Sequence, residues 1–320
     1  MKKYCIIPVL LILACSHKPK IEKSDVSSPI LDDVKVSLYI LGTVQDGGSP
    51  HIGCKKNCCS SLFEKPDSDR KVVSLGIVDH QNNKTYLFEA TPDITSQLKL
   101  LKEFSNKYNE TPDGIFLTHA HIGHYTGLMY LGREALGSER VPVYAMPKMR
   151  EFLNNNGPWN QLVQLKNIVL KEIDHQKNIS LTKNLSVAPF LVPHRDEYSE
   201  TVGYKITGPT KSVLFIPDID KWSKWEKNII EEIKRVDYAF LDATFFDGAE
   251  IDNRDISEIP HPFIIESMKL FKDLPVAEKK KIHFIHFNHT NPLLDLDSEQ
   301  SKAVLEKHFN IAAFKQVITL

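Results

Sequence analysis

Short apolar runs alternate with amphipathic stretches from about residue 35 to the end of the chain, and this pattern predicts an α/β protein. The runs predict strands at 34–41, 72–78, 85–88, 115–117, 141–145, 185–192, 203–207, 213–216, 238–241 and 281–287. Apolar residues at helical spacing follow Asp93, and further helices are expected near Thr126 and after Pro147. Helices between the strands of both halves predict two sheets covered by helices in one continuous domain.

The stretch 221–235 predicts a helix with one apolar face, made by Trp222, Trp225, Ile229 and Ile233. We interpret this face as core rather than as a binding stripe, because a one-sided apolar face is typical of a helix that packs on the body of a protein. Near the C-terminus, Asp297 and Gln300 predict a capping box for a helix that runs through His308.

The N-terminus has the pattern of an export signal. Lys2 and Lys3 precede an apolar stretch, 4–14, that is too short to span a bilayer comfortably. Its last residues and Cys15 resemble a bacterial lipobox, which predicts lipidation of Cys15; a short membrane anchor or a plain secretory signal are the alternatives. We therefore expect a signal peptide at 1–14, a polar tether at 15–33 and a globular domain at 34–320.

Composition and charge narrow the expected partners. The chain has 320 residues, of which 42% are hydrophobic and 25% charged, as is typical of a globular protein. The formal net charge of −1 is not the excess of positive charge that is typical of nucleic-acid-binding proteins, so no nucleic-acid partner is expected. The expected partners are a small-molecule substrate and a membrane, reached through the N-terminal lipid anchor. The expected location is the periplasm or the cell surface, as an exported bacterial lipoprotein.

Three of the five cysteines, Cys54, Cys58 and Cys59, lie close together beyond the leader. An odd number of cysteines in an exported protein leaves at least one thiol outside any disulfide within the chain. The cluster is compatible with a disulfide plus a spare thiol. The interpretation that we favour is a structural zinc site on three thiolates, with a fourth ligand, a histidine, from elsewhere.

The segment 118–127 has the sequence Thr-His-Ala-His-Ile-Gly-His-Tyr-Thr-Gly and places three histidines just beyond a predicted buried strand. Other predicted strands also end at histidine or aspartate. The candidate metal ligands are His119, His121, His124, His194, Asp218, His286 and His289. Imidazole and carboxylate ligands of this number would support one or two metal ions, and loops at one end of the strands build the sites of sheet-based folds.

These residues resemble the metallo-β-lactamase superfamily, whose hallmark is His-x-His-x-Asp-His followed by a lone His, an Asp and a late His. His119, His121 and His124 match the histidines of the first motif, and His194, Asp218 and His286 match the later residues in order. The resemblance covers 35–320 and implies an α/β fold, an αββα four-layer sandwich with the site along one edge.

Two branches of that superfamily are especially similar. Gly-Gly-Ser-Pro at 47–50, Ala-Thr-Pro-Asp-Ile at 90–94, His-Tyr-Thr-Gly-Leu at 124–128 and Asn-His-Thr-Asn-Pro-Leu-Leu at 288–294 resemble the pyrroloquinoline quinone biosynthesis protein B family. The cysteine cluster after a glycine-rich loop resembles the cyclic phosphodiesterases of phosphonate breakdown, which bind a structural zinc there. The cysteine spacing of this chain departs from their Cys-x-Cys-x-x-Cys.

One departure from the family motif concerns the second metal position, because Gly123 stands where the motif has its aspartate. Glycine supplies no side-chain ligand. The site is then a rebuilt two-metal site relying on His124, Asp218 and His286, with His289 as a further candidate, a single-metal site on His119, His121 and His194, or a weak second site filled only when substrate is present.

The expected activity is that of a metal-dependent hydrolase in which a metal-bound hydroxide attacks a phosphodiester or an ester. Asp218 would bridge or orient the ions. Glu89, Asp93 and Asp242 are candidates for fixing the imidazoles from behind, and Asp93 is equally a candidate helix cap. Zinc is the expected metal, in one or two active-site positions and in a further structural one, and iron or manganese would suit the same ligands.

Two other functions remain open at this stage. Similarity to the quinone-cofactor family implies a cofactor-processing oxidoreductase with a redox metal. The missing carboxylate at Gly123 favours a non-catalytic metal-binding lipoprotein. β-Lactamase activity would rest on likeness of fold alone, which is weak support because unrelated activities share folds.

Overall fold

The computed structural model describes Met1 and residues 34–195, 197–251 and 255–320. The expected signal peptide, the tether and the lipidation site at Cys15 lie outside the described residues. Within the described ranges, the structure contains no helix with the length and apolar character needed to cross a membrane. Val34–Leu320 form one compact unit.

Fourteen strands are present in the described part of the chain, and they form two seven-stranded sheets. Their bounds are β1 Val36–Gly42, β2 Ser74–Asp79, β3 Lys84–Phe88, β4 Gly114–Phe116, β5 Val141–Ala145, β6 Ile168–Glu172, β7 Ile179–Ser180, β8 Ser186–Leu191, β9 Val202–Thr207, β10 Ser212–Ile216, β11 Tyr238–Asp242, β12 Ile282–Ile285, β13 Asn310–Ile311 and β14 Val317–Thr319. The first sheet has the order β14-β1-β2-β3-β4-β5-β6, and the second has the order β13-β12-β11-β10-β9-β8-β7.

Both sheets are mixed. β3, β4, β5 and β6 are parallel to one another, and β10, β11, β12 and β13 are parallel in the second sheet. The remaining pairs are antiparallel. Since parallel neighbours end at the same edge, the loops after β10, β11 and β12 share one edge of the second sheet. The loop after β4 reaches the same edge, because His119 in that loop lies 3.4 Å from Asp218 in the loop after β10.

Nine α-helices occur within the described ranges: α1 Asn57–Glu64, α2 Ile94–Glu103, α3 Ile122–Tyr125, α4 Pro147–Asn155, α5 Trp159–Gln164, α6 Ile229–Lys234, α7 Ile264–Leu270, α8 Val276–Lys279 and α9 Glu299–Glu306. Short 3₁₀ turns cover Thr126–Leu131, Trp222–Lys224, Gly248–Ile251, Ile256–Glu258 and Pro292–Leu294.

The buried side chains of β1 show how the layers are built. Leu38 and Ile40 point between the two sheets, whereas Tyr39 and Leu41 point to the helices that cover the first sheet. Between the sheets, the ring of Phe88 stacks on Phe116 at 4.8 Å. A third cluster packs helices onto the outer face of the second sheet. The predicted αββα sandwich is therefore confirmed.

The helix expected near Thr126 is present as a 3₁₀ helix, Thr126–Leu131, which continues a short α-helix that begins at Ile122. Two other local predictions for helices are wrong. The expected helix at 221–235 is divided, because Asn228 adopts an extended backbone and its side chain caps a new helix. The cap of α9 is Ser298, whose hydroxyl accepts from the backbone N–H of Ser301. All four apolar residues of the divided stretch are nevertheless buried, as a core face requires.

Candidate metal centre

Polar residues from the ends of several strands converge at the shared edge and form groups whose ligand atoms lie within 4.8 Å of one another. One group is His119, His121, His194 and Asp218; the next is Asp46, His124, Asp218 and His286. Asp218, which follows β10, belongs to both groups. Two adjoining sets of ligands that share one carboxylate have the composition of a dinuclear metal site.

The first group surrounds the Oδ2 oxygen of Asp218. This oxygen lies 3.4 Å from Nε2 of His119, 3.7 Å from Nδ1 of His121 and 3.2 Å from Nε2 of His194. The His119 and His194 nitrogens are oriented from behind. Thr118 Oγ1 lies 2.9 Å from Nδ1 of His119, and Asp220 Oδ1 lies 3.2 Å from Nδ1 of His194. Such outer contacts fix the ring and leave the other nitrogen for a metal.

The second group adjoins the first across the same aspartate. Nε2 of His124 lies 2.9 Å from Oδ1 of Asp46 and 3.9 Å from Oδ2 of Asp218. Nε2 of His286 lies 3.2 Å from the same Asp46 oxygen. Asp46 comes from the glycine-rich loop after β1 and was missed in the sequence, although it follows a strand end as the other candidates do.

Two residues hold the histidines of the second group from the opposite side. Oε2 of Glu89 lies 3.4 Å from Nδ1 of His124, and Oγ1 of Thr244 lies 2.9 Å from Nδ1 of His286. Glu89 and His286 have φ values of 76° and 69°, in the left-handed region that non-glycine residues rarely adopt. Local backbone strain of this kind concentrates at functional sites, where the surrounding fold enforces it.

The electrostatics of the two groups differ. Burial and the neighbouring His124 hold the pKa of His119 well below 6.5, against the opposing effect of Asp218, so His119 is neutral as a metal ligand requires. Burial lowers the pKa of His286, but Asp242 and Asp46 outweigh burial and raise it to about 9. Burial alone would raise the pKa of Asp46, and His124 and His286 instead hold it well below 3.8. The second group therefore favours positive charge at its centre.

His261 is a further site residue that the sequence did not reveal. Its Nδ1 lies 3.2 Å from Oδ1 of Asp218 and 3.0 Å from Oδ2 of Asp242. Burial lowers the pKa of His261, yet Asp242 and Asp218 raise it well above 6.5. Because His261 engages Oδ1 of Asp218, the Oδ2 oxygen is left to face the histidines. His261 precedes α7 rather than following a strand, so the strand-end rule could not find it.

The residues present fit a divalent metal ion. Nε2 of His119 is buried and has no hydrogen-bond partner among the residues that the structure describes. A buried polar atom without a partner lowers the free energy of unfolding, and a bound metal ion would supply the partner. Imidazole nitrogens with carboxylate oxygens suit zinc, and also iron and manganese.

The three cysteines lie together, and the residue that joins them corrects an expectation. His289, expected as a further active-site ligand, instead groups with Cys54, Cys58 and Cys59. The reason is its position three residues beyond His286, where the chain has turned away from the two shared-carboxylate groups. The Sγ atoms of Cys54 and Cys58 are 3.7 Å apart, and no disulfide joins the three described cysteines. Three thiols and one imidazole have the composition of a structural zinc site.

The candidate outer residues Glu89, Asp93 and Asp242 have different positions. Glu89 lies behind His124, and Asp242 contacts His261 and donor groups of Ile219 and Thr244. Asp93 is not at the metal centre. Its Oδ2 accepts a hydrogen bond of 2.8 Å from the backbone N–H of Val72, which satisfies a donor in an adjacent loop. Asp93 precedes α2 but makes no side-chain capping bond.

Sequence comparisons agree with this architecture. Residues 84–287 match a family described as the Beta-lactamase superfamily domain. The chain is 23% identical over 301 residues to coenzyme PQQ synthesis protein B of Acinetobacter baylyi. This match covers 86% of this chain and 97% of that protein. It is 25% identical over 292 residues to the corresponding protein of Nitrosococcus oceani, covering 82% and 92%. The resemblance drawn from the motifs is thus confirmed.

Solved structures show the same fold. Zn²⁺-bound PqqB from Methylobacterium extorquens superposes with a TM-score of 0.72 at 21% identity, covering 89% of this chain and 100% of that one. A diphosphatase from the PhnP family gives a TM-score of 0.60 at 23% identity, covering 88% and 96%. Human tRNase Z, short form, gives 0.55 at 15% identity, covering 88% and 98%. The first of these proteins is described with bound zinc.

Proposed function

Because this chain belongs to the family of the Beta-lactamase superfamily domain, we propose that it is a metal-dependent hydrolase that acts on a phosphodiester or an ester. The observation that carries the proposal is the position of Asp218. Its Oδ2 oxygen faces histidines of both ligand groups, at 3.2 Å from His194 and 3.9 Å from His124. A carboxylate shared in this way would be a ligand to two cations, which could then act on one substrate.

Divalent ions bound by these residues would lower the pKa of a water molecule and would polarise the bond to be broken. The protein contributes the fixed positions. Thr118 and Asp220 set the ring orientations of His119 and His194, and His261 holds the second oxygen of Asp218. The carboxylate of Asp218 therefore does not have to reorganise during the reaction, and preorganised groups of this kind are a main source of catalysis.

A cleft of about 400 Å³ lies beside His194 and is the candidate substrate site. Its lining includes Lys148, Lys224, Glu200, Glu226 and Trp225. Charged groups together with an aromatic side chain suit a substrate that carries both an ionic group and an apolar one. Because two lysines face two glutamates, the charge of the cleft suits a phosphodiester and an ester equally.

A second candidate function rests on the similarity to coenzyme PQQ synthesis protein B, which spans 97% of the Acinetobacter protein. On this alternative the same ligands would hold a redox metal in a cofactor-processing oxidoreductase. Imidazole and carboxylate ligands accept iron as well as zinc. The two functions differ in product, because hydrolysis adds the oxygen of water without changing the oxidation state of the substrate.

We also propose that the chain is exported and anchored by a lipid on Cys15. The support is the sequence alone, namely the basic start, the apolar stretch and the lipobox-like residues that end at Cys15. Metabolic labelling with a palmitate analogue should mark the wild type and not Cys15→Ser. Labelling that is equal in both would contradict the anchor, and retention of the uncleaved N-terminus would contradict export through a lipoprotein signal.

The test of the hydrolase is a substrate panel on the purified full chain. A chromogenic phosphodiester, a carboxylic ester and a β-lactam would be compared in wild type, His194→Ala and the control His308→Asn, whose histidine is exposed and distant in sequence from every ligand. We expect turnover of the phosphodiester or ester, lost in His194→Ala and kept in the control. Turnover that survives His194→Ala would place the reaction elsewhere. If none of the three substrates is hydrolysed but a quinone precursor is oxidised or reduced, the oxidoreductase function would be favoured.

A further inference from the structure

We propose that Asp46 takes the place of the carboxylate that position 123 lacks, and that Gly123 is a glycine because Asp46 occupies the space beside it. The second metal position is then complete, with ligands from Asp46, His124, Asp218 and His286. This inference deepens the proposed function, on which it rests for the identification of the site as a metal centre. It removes the reason for expecting a single-metal site or a non-catalytic protein.

The first support is the position of the Asp46 carboxylate. Its Oδ1 lies 2.9 Å from Nε2 of His124 and 3.2 Å from Nε2 of His286. These are the two nitrogens left after Glu89 and Thr244 have engaged the other side of each ring. The Asp46 side chain is only 11% exposed, so its charge must be matched within the site. One oxygen facing two oriented imidazole nitrogens is the arrangement of three ligands around a common cation.

The second support is the contact between Asp46 and Gly123. A Cβ atom added at Gly123 would lie 2.6 Å from Cα, 2.7 Å from Cγ and 2.8 Å from Cβ of Asp46. Separations below 3.0 Å are not tolerated, and the Cα atom cannot move aside without the backbone. A side chain at position 123 and the present position of Asp46 therefore exclude each other. The absence of a side chain at position 123 and the presence of Asp46 at the site are therefore coupled.

The third support is the rigidity of the segment that carries Asp46. The backbone N–H of Gln45 donates to the carbonyl of Phe287, and the N–H of Phe287 donates to the carbonyl of Thr43, each at 2.8 Å. Phe287 directly follows His286 in the chain. The backbone of one ligand is thus hydrogen-bonded to the backbone beside another ligand. Asp46 is presented by a fixed element, as a metal ligand should be.

The experiment is a count of bound metal in the purified full chain, loaded with zinc and freed of excess. Asp46→Asn removes the charge with little change in shape. Gly123→Ala removes no ligand and only fills the space. The controls are Asp273→Asn, at an aspartate whose side chain is 89% exposed, and Gly157→Ala, where an added Cβ would lie 3.9 Å from its nearest neighbour, Oδ1 of Asn160.

We expect Asp46→Asn and Gly123→Ala each to lose one ion per chain, or to weaken one site by about 100-fold or more, while both controls keep the wild-type number. Cobalt substitution adds a spectroscopic readout, because the loss of one coordination environment changes the visible spectrum without any assay of activity. Circular dichroism establishes that each variant is folded. If Gly123→Ala does not fold, the near-isosteric Asp46→Asn decides alone.

Full metal content and an unchanged cobalt spectrum in Asp46→Asn would overturn the inference. The proposed function fails separately. A wild type that binds its ions but hydrolyses none of the substrates contradicts the hydrolase, while the loss of an ion from Asp46→Asn still supports the assignment of Asp46.

Discussion

The rings of His51 and His289 stack with their centroids 4.5 Å apart, and this contact joins the loop that carries Asp46 to the segment that carries His286. His51 also donates its backbone N–H to Sγ of Cys59 at 3.3 Å. The cysteine cluster and the metal centre are therefore neighbours through two short stretches of chain. Ordering of the cluster should affect the centre, because a structural ion fixes the elements that bind it.

Cys59→Ser should release the ion of the cysteine cluster and lower the melting temperature, since a structural zinc contributes directly to folding free energy. Cys59 is buried, so the variant also leaves a poorly matched hydroxyl. We expect zinc per chain to fall by one, and the remaining zinc to be held more weakly. Metal analysis and thermal melting measure both effects. The matched control is Ser60→Ala, at the exposed neighbouring residue, which should behave as wild type.

A disulfide within the cluster would give the opposite result. In that case a reducing agent, rather than a chelator, would lower the melting temperature of the wild type, and Cys59→Ser would keep the full zinc content.

Burial and the neighbouring thiols raise the pKa of Cys58 to about 12, so this thiol stays protonated until a metal ion binds.

Thr244→Val should weaken the metal bound by His286. The Thr244 hydroxyl lies 2.9 Å from Nδ1 of His286 and 2.7 Å from Oδ1 of Asp242, and valine keeps the shape but removes both contacts. Loss of such an outer contact lowers metal affinity by about 10-fold. Competition with a chromophoric chelator measures the affinity. The exposed Thr210→Val serves as the control, and equal affinities in the two variants would show that Thr244 does not orient the ring.

His283 should make the fold sensitive to acid. Burial lowers its pKa from 6.5 to about 4, so the unfolded chain takes up a proton before the folded one does as pH falls. Its contribution to stability is therefore complete above pH 6.5 and is lost toward pH 4. The expected loss between pH 7 and pH 4.5 is about 2 to 3 kcal/mol.

Urea unfolding at these two pH values tests the expectation by comparing wild type with His283→Leu. The variant should lose less stability on acidification, and effects of the metal ligands cancel because both proteins carry them. His308→Asn, at an exposed histidine, should lose as much free energy of unfolding on acidification as the wild type does. If His283→Leu loses as much free energy of unfolding between the two pH values as the wild type does, the acid sensitivity comes from other groups.

Local signals in the sequence predicted the two helix-covered sheets and most members of the two groups around Asp218. Strands bury alternate or continuous apolar runs, and His119, Asp218 and His286 each follow such a run closely. Local sequence patterns do not show which loops, distant along the chain, meet in the folded protein. Asp46 reaches the site only because the loop after β1 is hydrogen-bonded to Phe287, and His261 lies in a loop without a preceding strand.

His289 and Asp93 illustrate the same limit in the other direction. Both residues have side chains that can bind a metal, and both lie close along the chain to members of the two groups around Asp218. A turn of three residues directs His289 to the cysteines, and a backbone donor of Val72 binds the Asp93 carboxylate. Sequence spacing constrains which residues can meet, but tertiary contacts decide which of them do.

If ions held around Asp218 carry out hydrolysis, the activity should follow the metal content of the protein, which a titration of metal-depleted protein measures. The full chain would be stripped with a chelator, and its hydrolysis of a chromogenic phosphodiester or ester would be followed as zinc, manganese or iron is returned. We expect no activity without metal, recovery in proportion to the ions bound at the centre, and no recovery in His194→Ala. A metal-depleted protein that hydrolyses the substrate at the full rate would contradict this expectation.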